Sequence, residues 1–258
     1  MAKPLTDLAG WTTERHWPRV ACPICAVGSV GYAHAQYFLD RESELAADRT
    51  RRGQAPPDEL SGSFNGALQC DNADCAARLS MVGAYAYSYD YDEDAEQVHL
   101  FDMFKLEYVT PPFRLFIPPA RTPKEVTAEI DAAGAILFAS PSAAGNRLRR
   151  SVEELLDAQG VRKTQTTTKK DGTTKRSRLT LHARIELFGA SQPDVEKVLL
   201  AVKWIGNDAS HGDELAVADV VLCGTVLEAA LKSLYDRSDS ELLTLVTRIN
   251  ARKGLGRR

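Results

Sequence analysis

Two close pairs of cysteines, Cys22-Pro-Ile-Cys25 and Cys70-Asp-Asn-Ala-Asp-Cys75, constrain the fold of this chain more than any other feature. Each pair lies in a stretch that can turn so that both thiolates face one point, and two such turns together offer four sulfurs in a tetrahedron. Close pairs of this kind in a reducing compartment read as metal ligands before disulfides, and the expected ion is Zn²⁺. A reversible disulfide, or two unrelated turns, are the other readings of the same residues. Four thiolates leave no coordination position for a substrate, so the expected zinc is structural and a hydrolytic zinc enzyme is disfavoured. His16 and His34 stand near the cysteines but are left out of the ligand set. Cys223 falls inside an apolar helical pattern and reads as a small buried hydrophobe.

Around these pairs, residues 1–110 read as a zinc-ribbon-like β module. Residues 78–89 and 97–109, rich in Val, Tyr and Phe, are separated by the acidic run 90–96 and predict a β-hairpin. The spacing between the pairs is long for a compact ribbon. It contains the charged, Pro-bearing run 40–60, which reads as an inserted helix followed by a loop. A chain of 258 residues with 44 % hydrophobic content can bury a core without disulfides. A net charge of −3 gives no global pull toward nucleic acid or anionic membrane, so any polyanion site must be local. Neither a signal-peptide core within residues 1–17 nor an apolar run of membrane-spanning length is present, which predicts a soluble, cytoplasmic protein.

Pro111-Pro112 and Pro118-Pro119 mark the passage to a second domain, residues 111–258, where the pattern turns helical. Thr122-Pro123-Lys124-Glu125 predicts a helix start with Thr122 as cap, running to about residue 139. A second helix over about residues 143–159 carries Leu148, Val152, Leu155 and Leu156 as an apolar stripe, with Arg149 and Glu153 as an i,i+4 brace. The tract 162–178 is the most basic of the chain, and Asp171-Gly172 between threonines predicts a hairpin arm. Lys169, Lys170, Lys175, Arg176 and Arg178 on that arm are candidate phosphate contacts, set against the plainer reading of a solvated loop. A short helix follows over about residues 179–188. A long one over 213–235, capped by Asp213, has Leu215, Ala218, Leu222, Val226, Ala229 and Leu234 as its expected buried stripe. A terminal helix is expected over 241–252.

Lys203-Trp204-Ile205-Gly206-Asn207-Asp208-Ala209-Ser210-His211 ends another amphipathic helix, whose apolar face is Val195, Val198, Leu199, Val202 and Ile205. Lys203, Asn207 and His211 are successive i,i+4 neighbours and would form a short polar ridge. The plainer reading of His211-Gly212 is a helix C-terminus. Gly206, costly at mid-helix by about 1 kcal/mol, predicts that another helix or a ligand packs close to the backbone there.

The ordered combination of Pro111-Pro112-Phe113 with Pro118-Pro119, then Arg149-Arg150-Ser151-Val152-Glu153-Glu154-Leu155-Leu156, then Gly206-Asn207-Asp208-Ala209-Ser210-His211-Gly212 resembles the prokaryotic domain-of-unknown-function family 4145 over about residues 111–236. The resemblance implies a HEPN-like helical bundle, of a superfamily that often dimerises and occurs in toxin–antitoxin, restriction and antiphage defence systems. It also implies an N-terminal zinc knuckle, which Cys22, Cys25, Cys70 and Cys75 match. Catalytic HEPN domains are metal-independent ribonucleases with an arginine, a polar residue and a histidine near one helix. Here His211 matches the histidine and Asn207 the polar position, while the arginine is missing and Lys203 is the nearest preceding basic residue. The fold expected is therefore α+β: a zinc-ribbon-like β module, then an all-α HEPN-like bundle. The expected function is a homodimeric defence protein that binds RNA, with metal-independent cleavage through His211, Asn207, Lys203 and Asp208 left open. The alternative is a non-catalytic dimerisation or regulatory module acting with a partner protein or nucleic acid.

Overall fold

A computed structural model describes residues 4–52, 60–92, 97–168, 173–208 and 214–236. Six strands, β1 (Trp11–Thr12), β2 (Val20–Ala21), β3 (Ser29–Leu39), β4 (Leu60–Cys70), β5 (Arg78–Asp92) and β6 (Gln97–Thr110), make one antiparallel sheet in the order β1-β6-β5-β4-β3-β2. The predicted hairpin is β5–β6. The interval between the cysteine pairs holds more than was expected of it. The helix α1 (Arg41–Arg51) lies within the predicted insertion, but two 11-residue strands, β3 and β4, flank it and pair with each other. Polar and small residues in both strands hide their period-2 pattern. The sheet is correspondingly larger than a ribbon.

The sheet curls because glycine lets strands approach where a side chain would not fit. A Cβ on Gly62 would lie 2.0 Å from the Phe38 carbonyl oxygen, and one on Gly83 would lie 2.0 Å from that of Lys105. Aromatic rings fill the concave side. Phe64 and Phe104 meet edge-to-face at 5.1 Å, Trp17 lies 6.3 Å from each, and the buried Tyr85 donates its hydroxyl proton to Asp102 at 2.6 Å. Each ring so buried contributes about 1.5–3 kcal/mol.

The second half comprises α2 (Lys124–Ile136), α3 (Pro141–Ala158), the hairpin β7 (Thr164–Thr168) and β8 (Thr174–Arg178), α4 (Leu181–Gly189), α5 (Pro193–Asp208) and α6 (Val217–Tyr235). The central element is α3, which packs against α2, α4, α5 and α6. Its stripe Leu148, Val152, Leu155 and Leu156 is fully buried, as the periodicity requires. Two helix starts differ from expectation. Pro123 occupies the cap position of α2, and Thr122 has a buried hydroxyl with no hydrogen-bond partner. At α6 the cap is Ala216, whose N–H donates to the Asp219 carboxylate at 2.8 Å, while Asp213 lies outside the described residues.

The buried stripe of α6 is also corrected. Val220, Cys223, Leu227, Ala230 and Leu231 face the core, whereas Leu222 is 58 % exposed and Ala218 and Ala229 are exposed. Apolar residues surround that helix on nearly all sides, so periodicity alone cannot choose its inner face. Residues 241–252, expected as a terminal helix, lie outside the described residues. One continuous buried cluster runs from Leu8 and the sheet through Phe113 and Phe116 of the proline-bearing passage into the helices. Among the described residues no helix is long and apolar enough to cross a membrane.

Candidate metal centre and cationic cleft

Two turns, one from each cysteine pair, converge at the end of β3 and β4. In each, the residue after the second cysteine takes a left-handed conformation, Ala26 at φ 55° and Ala76 at φ 45°. That reverses the chain tightly: Ala26 N–H donates to Cys22 C=O at 3.0 Å and Ala76 N–H to Asn72 C=O at 2.8 Å. Gly28 seals the approach, since a Cβ there would lie 2.7 Å from both Cys70 Sγ and Asn72 Cβ. Asp71 clamps the turns together, accepting from Ser29 N–H and Ser29 Oγ–H at 2.7 Å each and pairing with Arg19 at 3.1 Å. The Ser29 hydroxyl, then its N–H, and the Arg19 charge hold the Asp71 carboxyl below the usual range.

The sulfurs of Cys22, Cys25, Cys70 and Cys75 all lie within 4.8 Å of one another, with Cys22–Cys75 and Cys25–Cys70 at 3.9 Å. A tetrahedral ion with metal–sulfur bonds of about 2.3 Å needs sulfurs about 3.8 Å apart, so the four residues fit a metal ion. Their protons are held unequally. Backbone N–H groups of Gly28 and Val27 lower the Cys25 thiol to about 6, while burial pushes Cys70 up to about 12. A bound cation would offset the cost of ionising the buried thiol. Among the described residues no other cluster of metal-ligating side chains is this close.

The helical half carries a polar cleft of about 560 Å³ between α3 and the foot of the β7–β8 hairpin. From α3 it takes Arg149, Arg150, Glu153, Glu154 and Asp157. Lys163 and Arg178 enter from the hairpin and Arg184 from α4. Part of this charge is already paired. Arg184, only 7 % exposed at its side chain, and Lys163 both reach Asp157 at 2.6 Å, and Arg150 pairs with Glu129 at 3.3 Å. Burial pushes the Asp157 carboxyl up, but Lys163 and Arg184 outweigh it and hold the group below the ordinary carboxylate range. The expected Arg149–Glu153 brace is not among the ion pairs of the described residues. Both line the cleft instead, and the Arg149 Nε is buried without a hydrogen-bond partner.

The predicted basic arm is the β7–β8 hairpin, paired from Thr164–Arg178 to Thr168–Thr174. Lys175, Arg176 and Arg178 are exposed on β8, whereas Lys169 and Lys170 lie outside the described residues. Of the expected ridge, Lys203 is buried, its ammonium 3.3 Å from the Trp204 ring centroid. Burial first, then the charge of Arg149, lowers its pKa. Asn207 and Asp208 close α5, and His211 lies outside the described residues. What packs at Gly206 is α3: a Cβ on that glycine would meet Arg149 Cβ at 2.8 Å.

Residues 131–252 match the family model of the domain of unknown function DUF4145. The match supports that part of the sequence resemblance and takes in α3, the hairpin, and helices α4 to α6. Residues 11–113 match a second family model, the domain of unknown function DUF8608, and that interval contains all four converging cysteines. Neither curated proteins nor solved structures gave a match. Among the residues lining this cleft, the sequence marks Arg178 alone as a candidate phosphate contact, and Arg149 with Glu153 as a brace. Arg149, Arg150, Lys163 and Arg184 do not stand out as a site in the sequence because they are scattered over three elements.

Proposed function

We propose that this protein is an RNA-binding component of a prokaryotic defence or stress system, acting as a homodimer. In this reading its helical half is HEPN-like and its sheet is stapled by a structural zinc ion. The observation that carries it is the continuity of the exposed basic strand with the cleft. Arg176 and Arg178, two residues apart on β8, share one face of the hairpin, and Arg178 lines the cleft together with Lys163 and Arg149. Such a track can follow a phosphate backbone, releasing counterions as it binds. No global positive charge is required for this, since the cations are gathered locally. Zinc is the natural ion for four thiolates in a tetrahedron.

Cleavage is a second reading, favoured by the position of Arg149. The stem of this arginine packs on Gly206, one residue before Asn207, so α3 offers a guanidinium at the end of α5 where that helix has none of its own. His211 would exchange protons with the 2′-hydroxyl or the leaving oxygen, and Arg149 would neutralise the developing phosphorane charge. Purified protein incubated with mixed RNA in EDTA, beside Arg176→Glu/Arg178→Glu and His211→Ala, tests both readings. Expected is RNA binding that weakens by about tenfold or more in the charge-reversed hairpin. Binding unchanged in that variant overturns the RNA surface. Cleavage that persists in His211→Ala overturns the catalytic assignment, and binding without cleavage in any sample leaves the non-catalytic module.

A further inference from the structure

The cleft holds carboxylates that a surface built only to track phosphates would not need. Asp157 is consumed by Lys163 and Arg184. Glu153 and Glu154 remain: they line the same space and form no ion pair among the described residues, although Arg149 and Arg178 stand in the cleft equally without an ion-pair partner. Two guanidinium groups and two carboxylates that form no ion pairs among the described residues give one space both anion-binding groups and acceptors for hydroxyl donors. Its volume, about 560 Å³, falls in the range of small-molecule sites and suits a compact ligand rather than a duplex.

We infer that this cleft binds a ribonucleotide unit carrying a 5′-phosphate and a free 2′,3′-diol, with the phosphate on Arg149 and Arg178 and the two hydroxyls donating to Glu153 and Glu154. The inference rests on the RNA-binding reading and makes it specific. A free ribonucleotide and the 3′-terminal residue of an RNA chain share this chemistry. A guanidinium grips phosphate with parallel N–H donors. A carboxylate accepts from both hydroxyls of a diol and repels a second phosphate placed there, so the site distinguishes ribose from deoxyribose and an open RNA end from a blocked one. Asp157, held ionised by two cations, keeps the buried Arg184 in place beneath the ligand.

The test is calorimetric titration of the full chain with adenosine 5′-monophosphate, its 2′-deoxy counterpart, and a ten-nucleotide RNA ending in either a 3′-hydroxyl or a 3′-phosphate. Saturable binding is expected with a preference of about tenfold for the ribose over the deoxyribose form, and for the open over the phosphorylated end. Glu153→Gln/Glu154→Gln should abolish that preference while keeping phosphate affinity, and Arg178→Gln should weaken every phosphate-bearing ligand, ribose or deoxyribose, by about tenfold. Unchanged thermal melting of these nearly isosteric variants separates a lost contact from a lost fold. A monophosphate that binds while neither RNA does assigns the site to free nucleotides; RNA alone binding assigns it to chain ends. RNA binding that depends on Arg176 but ignores the state of the 3′ end overturns this inference and spares the RNA surface. Ribonucleotide binding that persists when no RNA binds through the hairpin does the reverse. No saturable binding of any monophosphate or RNA end at millimolar concentration overturns the inference outright.

Discussion

The cysteine cluster and the cationic cleft solve opposite problems. Four like groups converge at the first, from turns separated by the whole β3–α1–β4 segment, and their sulfurs lie within 4.8 Å of one another. Unlike charges share the second, some paired at 2.6 Å and some held apart across open space. Four converging thiols can ionise together at little cost only when a cation joins them, so the cluster is fit to hold an ion within the fold. Charges without ion-pair partners in a cleft leave groups that a ligand could engage. On the reading proposed above, one site fastens the fold and the other receives a ligand.

The contrast predicts how each responds to injury. Cys70→Ser should remove the metal and cost on the order of 5 kcal/mol, since ion binding is folding free energy in a closed thiolate site. Elemental analysis and urea unfolding check it; equal stability with and without the metal would break the contrast from the cysteine side. Asp157→Asn comes next, at about 3 kcal/mol, because it leaves the buried Arg184 guanidinium without its counter-charge. Asp157 is held below the ordinary carboxylate range when folded, so its contribution is present above that range and is lost as pH falls through the lowered folded value. Urea melts at pH 7 and pH 3 should therefore differ less in the variant than in the parent. Ala26→Gly is the smallest effect: relief of the left-handed alanine should outweigh the added freedom of the unfolded chain by about 0.5 kcal/mol. Unfolding midpoints at saturating metal would show it, and a decrease would mean that the turn geometry is not the one described.

How much of this was legible in the sequence differs between the regions for the same reason. Identical ligands in close pairs are visible without a fold, and Cys22, Cys25, Cys70 and Cys75 do converge. The β5–β6 hairpin, the basic hairpin, and the α3 stripe also followed from turn residues and periodicity. The strands β3 and β4 did not, because Gly, Ser, Ala and Gln at their alternate positions blur the pattern that aromatic residues sharpen in β5 and β6. The inner face of α6 was misjudged where apolar residues surround the helix. The sequence reads Arg149 with Glu153 as a surface or inter-helix brace, but that Arg149 packs on Gly206 of α5, nearly sixty residues on, is announced by nothing local to it. Sites made of one residue type in short spacing survive without coordinates; sites made of opposite charges from three elements do not.

The central claim is that the hairpin and cleft form a polyanion-binding surface, and the most direct measurement is the salt dependence of RNA binding. A single-stranded RNA should bind with log K falling linearly in log salt, and Arg176→Ala/Arg178→Ala should shallow that slope by about 1.4, two phosphate contacts at about 0.7 each. A slope unchanged by the substitutions, or no binding at low salt, would contradict the account.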